Sequence, residues 1–209
     1  MQKASNDNNM AIAKEILTDA FREDPVQCAL VRKDEHKEHG LQRLYDNILP
    51  PCVQGGSVYI NEEKTGAMIW WIRDNCPMGN SYAISSVLTP WNWYDIAGSL
   101  RGIARMFYFS TVTNGDHPPF NHIYVFQIGV KSAEKQRGYG SKMMKELTSY
   151  ADEHNYPIYL ESSKEVNLPF YQKHGFFVLE RKEIMSNFPP YWRMLRPASD
   201  PRLPFGINK

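Results

Sequence analysis

Residues 122–180, HIYVFQIGVKSAEKQRGYGSKMMKELTSYADEHNYPIYLESSKEVNLPFYQKHGFFVLE, decide the fold. The run opens on an apolar stretch, 122–130, whose β-branched and aromatic residues read as a strand. A basic loop follows. Gly138-Tyr139-Gly140 then opens a helix reaching about Asn155, with Met143, Met144, Leu147, Tyr150 and Ala151 at helical spacing on its buried side. Residues 157–161 read as a short strand, 165–174 as a short helix, and Gly175 starts another strand to about Lys182. The order strand, helix, strand is a βαβ unit.

The loop between the first strand and the helix is the informative part. In residues 130–142, VKSAEKQRGYGSK, two glycines bracket the helix start, and Lys131, Lys135, Arg137 and Lys142 stand nearby. The first helical turn carries unpaired amide hydrogens and a partial positive charge. Glycines let those amides approach a phosphate without side-chain obstruction. The segment therefore reads as a seat for a pyrophosphate. The plainer alternative is a helix start whose glycines only relieve crowding. A dinucleotide fingerprint needs a third glycine where Met143 stands, and a nucleotide P-loop needs Gly-Lys-Ser/Thr where the order is Gly140-Ser141-Lys142.

Outward from this core, residues 57–61 and 66–73 flank the polar turn Glu62-Glu63-Lys64-Thr65 and read as a hairpin. A helix carries Ile12, Ile16, Leu17, Ala20 and Phe21 on one face and ends at Asp24-Pro25, since the residue before proline avoids the helical region. A second helix spans about 37–49 and stops at Pro50-Pro51. Residues 91–109 read as one unusually aromatic helix, 191–195 as a last strand, and 74–90 carry no clear pattern. Residues 1–9 read as a disordered tail, and 10–209 as one domain with no repeat and no Gly/Ser-rich linker. The fold class is mixed α/β.

Composition narrows the function classes. A formal net charge of +1 gives no electrostatic case for nucleic acid or an anionic membrane as partner. No apolar run approaches the ~20 residues of a membrane span, and the start lacks a signal core. Cys28, Cys52 and Cys76 are odd in number and widely spaced, which fits reduced thiols in a cytoplasmic protein. His36 and His39 have metal-ligand spacing but sit in the charged run DEHKEH, a solvated face, so no metal is expected.

Taken together, the strand ending in Gly129-Val130, the Gly-x-Gly turn, the strand Tyr159-Leu160-Glu161-Ser162-Ser163, and Asn167-Leu168-Pro169-Phe170-Tyr171 before His174-Gly175-Phe176 resemble the core of GCN5-related (GNAT) N-acetyltransferases. The branch that looks most similar contains puromycin N-acetyltransferase. The strong match covers about 122–182. Asp24-Pro25, the hairpin and Tyr191-Trp192-Arg193-Met194 fit the family order more weakly. The resemblance implies a single-domain GNAT fold: a central, mostly antiparallel sheet splayed at its middle strands, with helices on both faces. It implies acetyl-CoA as cosubstrate, with its pantetheine arm in the splay against the amides of Ile128 and Val130 beside Gly129. Lys135, Gln136, Arg137, Gly138, Tyr139, Gly140 and Ser141 would hold the pyrophosphate, and Asn167 and Phe170 would border the arm. The family turn usually begins with Gln or Arg where Lys135 stands here, which leaves the side-chain contact at that position open.

The implied reaction is transfer of an acetyl group to a primary amine in a ternary complex. The amine, with a pKa of about 10.4, must lose a proton before attack, so a base is needed. Tyr171 matches the family tyrosine that donates to the departing sulfur; without that motif it reads as a buried aromatic. Some members carry a glutamate on the strand at 122–130, but this chain has only Gln127 there. Glu161 is the base candidate, with an ammonium anchor or a structural acceptor as the alternatives. His122, Tyr124 and Trp93 are candidate acceptor-site residues. The aromatic stretch 91–109 reads mostly as core, with an acceptor wall as the other reading. The partners implied are acetyl-CoA and a small-molecule amine, with a protein acceptor, a non-catalytic acyl-CoA-binding module and a homodimer left open.

Overall fold

A computed structural model gives the structure of the chain and describes residues 1–77 and 90–200. The stretch without a clear pattern, 74–90, and the end of the expected domain, 201–209, lie largely outside them. The strands are β1 (Gln2–Lys3), β2 (Val58–Ile60), β3 (Gly66–Ile72), β4 (Ile123–Val130), β5 (Ile158–Ser162), β6 (Phe177–Lys182) and β7 (Tyr191–Arg196). They form one sheet in the order β1-β2-β3-β4-β5-β7-β6. Every neighbouring pair is antiparallel except β4–β5, which is parallel. Helix α6 (Tyr139–Glu153) makes that parallel crossover, as the βαβ reading requires.

Each face of the sheet has its own core. One face meets α1 (Asp7–Phe21), α2 (Pro25–Leu30) and α3 (Lys37–Gln54) through Ile16, Leu17, Leu41, Tyr45, Ile69 and Trp71. Helices α4 (Pro90–Ala97) and α5 (Leu100–Gly115) extend that layer. The other face is covered by α6 and α7 (Leu168–Gln172), with Met143, Met144, Leu147, Val125 and Leu160 inside.

Four sequence readings differ from the structure. The N-terminal tail is ordered: Gln2 and Lys3 pair with Ile60 and Tyr59, the Ala4 amide bonds the Val58 carbonyl, and Asn6 caps α1 through the Asn9 amide at 2.9 Å. Polar composition did not register that the free edge of β2 offers a template for another strand. Helix α3 runs through Pro50 and Pro51 to Gln54. Leu49 and Cys52 are buried there, and packing overrides the local cost of the prolines. The single helix over 91–109 is two, broken at Gly98 with φ +70°, after which the Ser99 hydroxyl caps α5 through the Gly102 amide. Finally, Asp24-Pro25 starts a helix as well as closing one. Asp24 accepts from the Gln27 amide at 3.0 Å, and Pro25 takes the first helical position.

Candidate active site

The site forms where β4 and β5 part. Their pairing covers only Ile123–Val125 against Ile158–Leu160. Beyond it β4 runs on beside β3 alone. A register shift between Ile69 and Trp70 leaves Phe126 as an extra residue, because Ile69 faces Gln127 and Trp70 faces Val125. Such a bulge sharpens the local twist and turns β4 away from β5. It also resets the pleat: Phe126 and Gln127 both lie on the α1 side, while Val125 and Ile128 face α6.

The gap exposes backbone donors. The Lys131 amide bonds the Thr65 carbonyl at the end of β3. Amides alternate along a strand, so those of Ile128 and Val130 point into the gap. Gly129 is required where α1 crosses, since a Cβ there would stand 2.7 Å from the Ala20 Cβ. The resulting cleft is about 200 Å³, with Phe21, Asp24, Gln127, Glu161, Ser163 and Tyr171 in its walls. Among the cofactor-contact candidates, Ile128, Gly129, Val130, Lys135 and Asn167 line the same cleft.

The basic turn lies at one end. Gln136 and Gly138 both have left-handed backbone, φ +66° and +85°, and Gly138 caps α6 with no side-chain bond to the first-turn amides. Successive amides in such a loop form a concave anion site. A Cβ at Gly138 would meet no atom of the protein within 4 Å, so within the chain itself the glycine is demanded by φ. At Gly140 a Cβ would be 3.6 Å from the Phe170 ring, which places Phe170 against the turn. Arg137 pairs with Glu134 at 2.5 Å and Lys142 with Glu63 at 3.4 Å, both exposed contacts of small net worth that an anion can displace. An acyl-CoA fits this set: turned-out amides for an amide-bearing arm, and a nested helix start with cations for a pyrophosphate.

Two titratable groups converge in the cleft. Tyr124 donates its hydroxyl to Glu161 Oε2 at 2.8 Å, the Tyr159 hydroxyl is a second and looser neighbour of the carboxylate, and the buried Oε1 makes no close hydrogen bond. Burial pushes the carboxyl up to about 7, partly opposed by the Tyr124 hydrogen bond. Tyr171 is 8% exposed and packs edge-on against Phe170 and Phe176. Burial, followed by the negative charge of Asp24, raises its pKa, so the phenol keeps its proton.

The acceptor-site candidates divide. Tyr124 reaches the cleft through its bond to Glu161. His122 does not line it: the residue is fully buried, Nδ1 faces the Phe120 carbonyl at 2.7 Å and Nε2 faces His117 Nδ1 at 2.9 Å. A carbonyl only accepts, so His122 carries its hydrogen on Nδ1 and His117 donates to it. Burial, with the Arg73 charge second, lowers His117 to about 3, so the pair stays neutral. Trp93 packs on Phe107 of α5, outside the cleft lining. Sequence reasoning missed Asp24 as a site residue. It is 4% exposed, lines the cleft and accepts from the Ser163 hydroxyl. Its only signal was the Asp-Pro helix boundary.

Comparison with known proteins agrees with this geometry. The model of the acetyltransferase (GNAT) family matches residues 65–176, a little over half of the chain. An uncharacterised N-acetyltransferase of Schizosaccharomyces pombe is 28% identical over 173 residues, covering 77% of this chain and 67% of that protein. Among solved structures, a Corynebacterium glutamicum protein described as histone acetyltransferase HPA2 and related acetyltransferase superposes with TM-score 0.68 over 97% of both chains at 18% identity. The Drosophila melanogaster polyamine N-acetyltransferase gives 0.55 over 91% of this chain and 95% of that one at 12% identity. These two likenesses show the fold, an open and mostly antiparallel sheet with helices on both faces, and the matched family supplies the identity. The chain belongs to the acetyltransferase (GNAT) family.

Proposed function

We propose that the protein is an N-acetyltransferase that moves an acetyl group from acetyl-CoA to a primary amine of a small molecule. The observation that carries this is the presence, in the walls of one cleft, of a Glu161 carboxylate oxygen with no close hydrogen bond and of the protonated phenol of Tyr171. Bound acetyl-CoA supplies an activated thioester. Glu161 Oε1 takes the proton from the attacking amine, and a carboxyl near 7 is ionised enough to do so at neutral pH. Tyr171 donates its hydrogen to the departing sulfur. The amides of Ile128 and Val130, with Asn167, hold the arm, and residues 135–141 hold the pyrophosphate. The resemblance of 122–182 supports a place near the puromycin N-acetyltransferase branch. The elements from β1 to β7 act as one catalytic domain, and the free cysteines support a cytoplasmic site.

The test is thiol release from acetyl-CoA with a panel of primary amines, alongside thermal unfolding with CoA. A raised midpoint with CoA, together with an acetylated product confirmed by mass, is the expected result. Absence of acetylated product from every amine, in protein that CoA stabilises, would overturn the reading.

A further inference from the structure

The walls of the cleft describe the acceptor in more detail. The six aromatic residues Trp91, Trp93, Tyr94, Phe107, Tyr108 and Phe109, which sequence reasoning offered as an acceptor wall, contribute nothing to its lining. Its aromatic residues are Phe21, Phe126 and Tyr171, and polar groups stand among them. Gln127 lines the cleft, is 5% exposed, and makes no close hydrogen bond at Oε1 or Nε2. The Tyr45 hydroxyl is its polar neighbour inside the protein, in a contact too loose to satisfy either group fully. Buried polar atoms are nearly always bonded, so a carboxamide left open at a cleft wall has its donors and acceptor available to a ligand or to the water that the ligand displaces. The bulge at Phe126 is what turns Gln127 to the α1 side, the side of Ala20, Phe21 and Asp24.

Charge agrees. Asp24 and Glu161 both line the cleft, and neither has an ion pair among the described residues. The two lysines in the lining differ in placement: Lys135 belongs to the anion-binding turn, and Lys164 lies past the end of β5. The α1 side of the cleft thus sets Asp24 and Gln127 beside the apolar Ala20 and Phe21.

We propose that the acceptor is a small, cationic primary amine carrying a hydroxyl or carboxamide within a few atoms of its nitrogen, with Gln127 reading that group and Asp24 drawing the ammonium in. The inference rests on the N-acetyltransferase reading. It assigns selectivity to Gln127 and affinity for the cation to Asp24.

Ethanolamine and n-propylamine test it, since they differ by a hydroxyl in place of a methyl. The wild-type protein is expected to favour ethanolamine in kcat/KM by about tenfold or more, the worth of one good neutral hydrogen bond. Gln127→Leu is expected to reduce that ratio about tenfold. Asp24→Asn, which keeps the helix cap, is expected to raise KM for both amines and leave the ratio unchanged. With saturating CoA present, ethanolamine is expected to raise the unfolding midpoint more than n-propylamine does, a readout that needs no turnover. Equal use of the two amines, or a ratio unmoved in Gln127→Leu, would overturn this inference and leave the acetyltransferase reading standing. No acetylation of either probe or of any amine in the wider panel would overturn both.

Discussion

Glu161→Gln separates the carboxylate's cost to the fold from its use in catalysis. In the folded protein the Glu161 carboxyl is raised from 4.5 to about 7, chiefly by burial. The folded state therefore holds this proton more tightly than the unfolded chain. The associated stability is fully present below pH 4.5 and is lost as pH rises through 7. At about 1.36 kcal/mol per pH unit the loss is about 3 kcal/mol, and water reaching the open side of the cleft trims it to about 2–3 kcal/mol. Glutamine has no charge to bury. The variant should match the wild type near pH 4 and exceed it at pH 8, by roughly 5–10 °C in midpoint for a chain of this size. The assay is thermal unfolding of both proteins from pH 4 to pH 8 without ligand. Turnover should move the other way, with kcat falling about 10²-fold or more and the rise of rate through pH 7 disappearing. If Glu161 only anchors the ammonium, KM rises and kcat is nearly kept. Parallel midpoint curves across the pH range, or a variant that keeps the limb near pH 7, would refute the assignment.

Tyr171→Phe should lower kcat at least tenfold while the CoA dissociation constant, measured by calorimetry, changes by no more than about twofold. Gly138→Val forces a β-branched residue to φ +85°, at a cost of about 1–3 kcal/mol, and should weaken CoA binding at least tenfold; wild-type affinity in a folded variant would count against the turn as the pyrophosphate seat. Gly129→Ala puts a methyl 2.7 Å from Ala20 and should lower stability by about 1–3 kcal/mol in urea unfolding, so an unchanged midpoint would deny the close passage of α1 over β4.

Much of the site was legible from residues close together in the chain. The two glycines, the basic loop and the strand before them specify a helix start open to an anion, because unpaired amides and positive φ are local backbone properties. Glu161 and Tyr171 were found through the motifs that hold them, and the structure brings both to one cleft although they stand on different elements. The β2–β3 pair follows from the hairpin and the parallel β4–β5 pair from the crossover between them, whereas the place of β7 between β5 and β6 was written in neither.

The remainder was decided by tertiary structure. Whether Gln127 faces α1 or α6 depends on a single bulged residue, and the alternation of apolar and polar residues cannot place a bulge that its partner strand creates. His122 had the look of an exposed strand start, yet it is sealed against His117 because burial depends on what the loop at 116–121 lays over it. Asp24 reads as a helix boundary until Ser163, 139 residues away, bonds it across the cleft. The sequence by itself picked out the proposed anion-binding turn and the two side chains proposed to react, since each is written in a few neighbouring residues. The acceptor side of the cleft belongs to the fold, because it is assembled from α1, α2, α3, β4 and β5, and the contacts that shape it exist only once those elements pack.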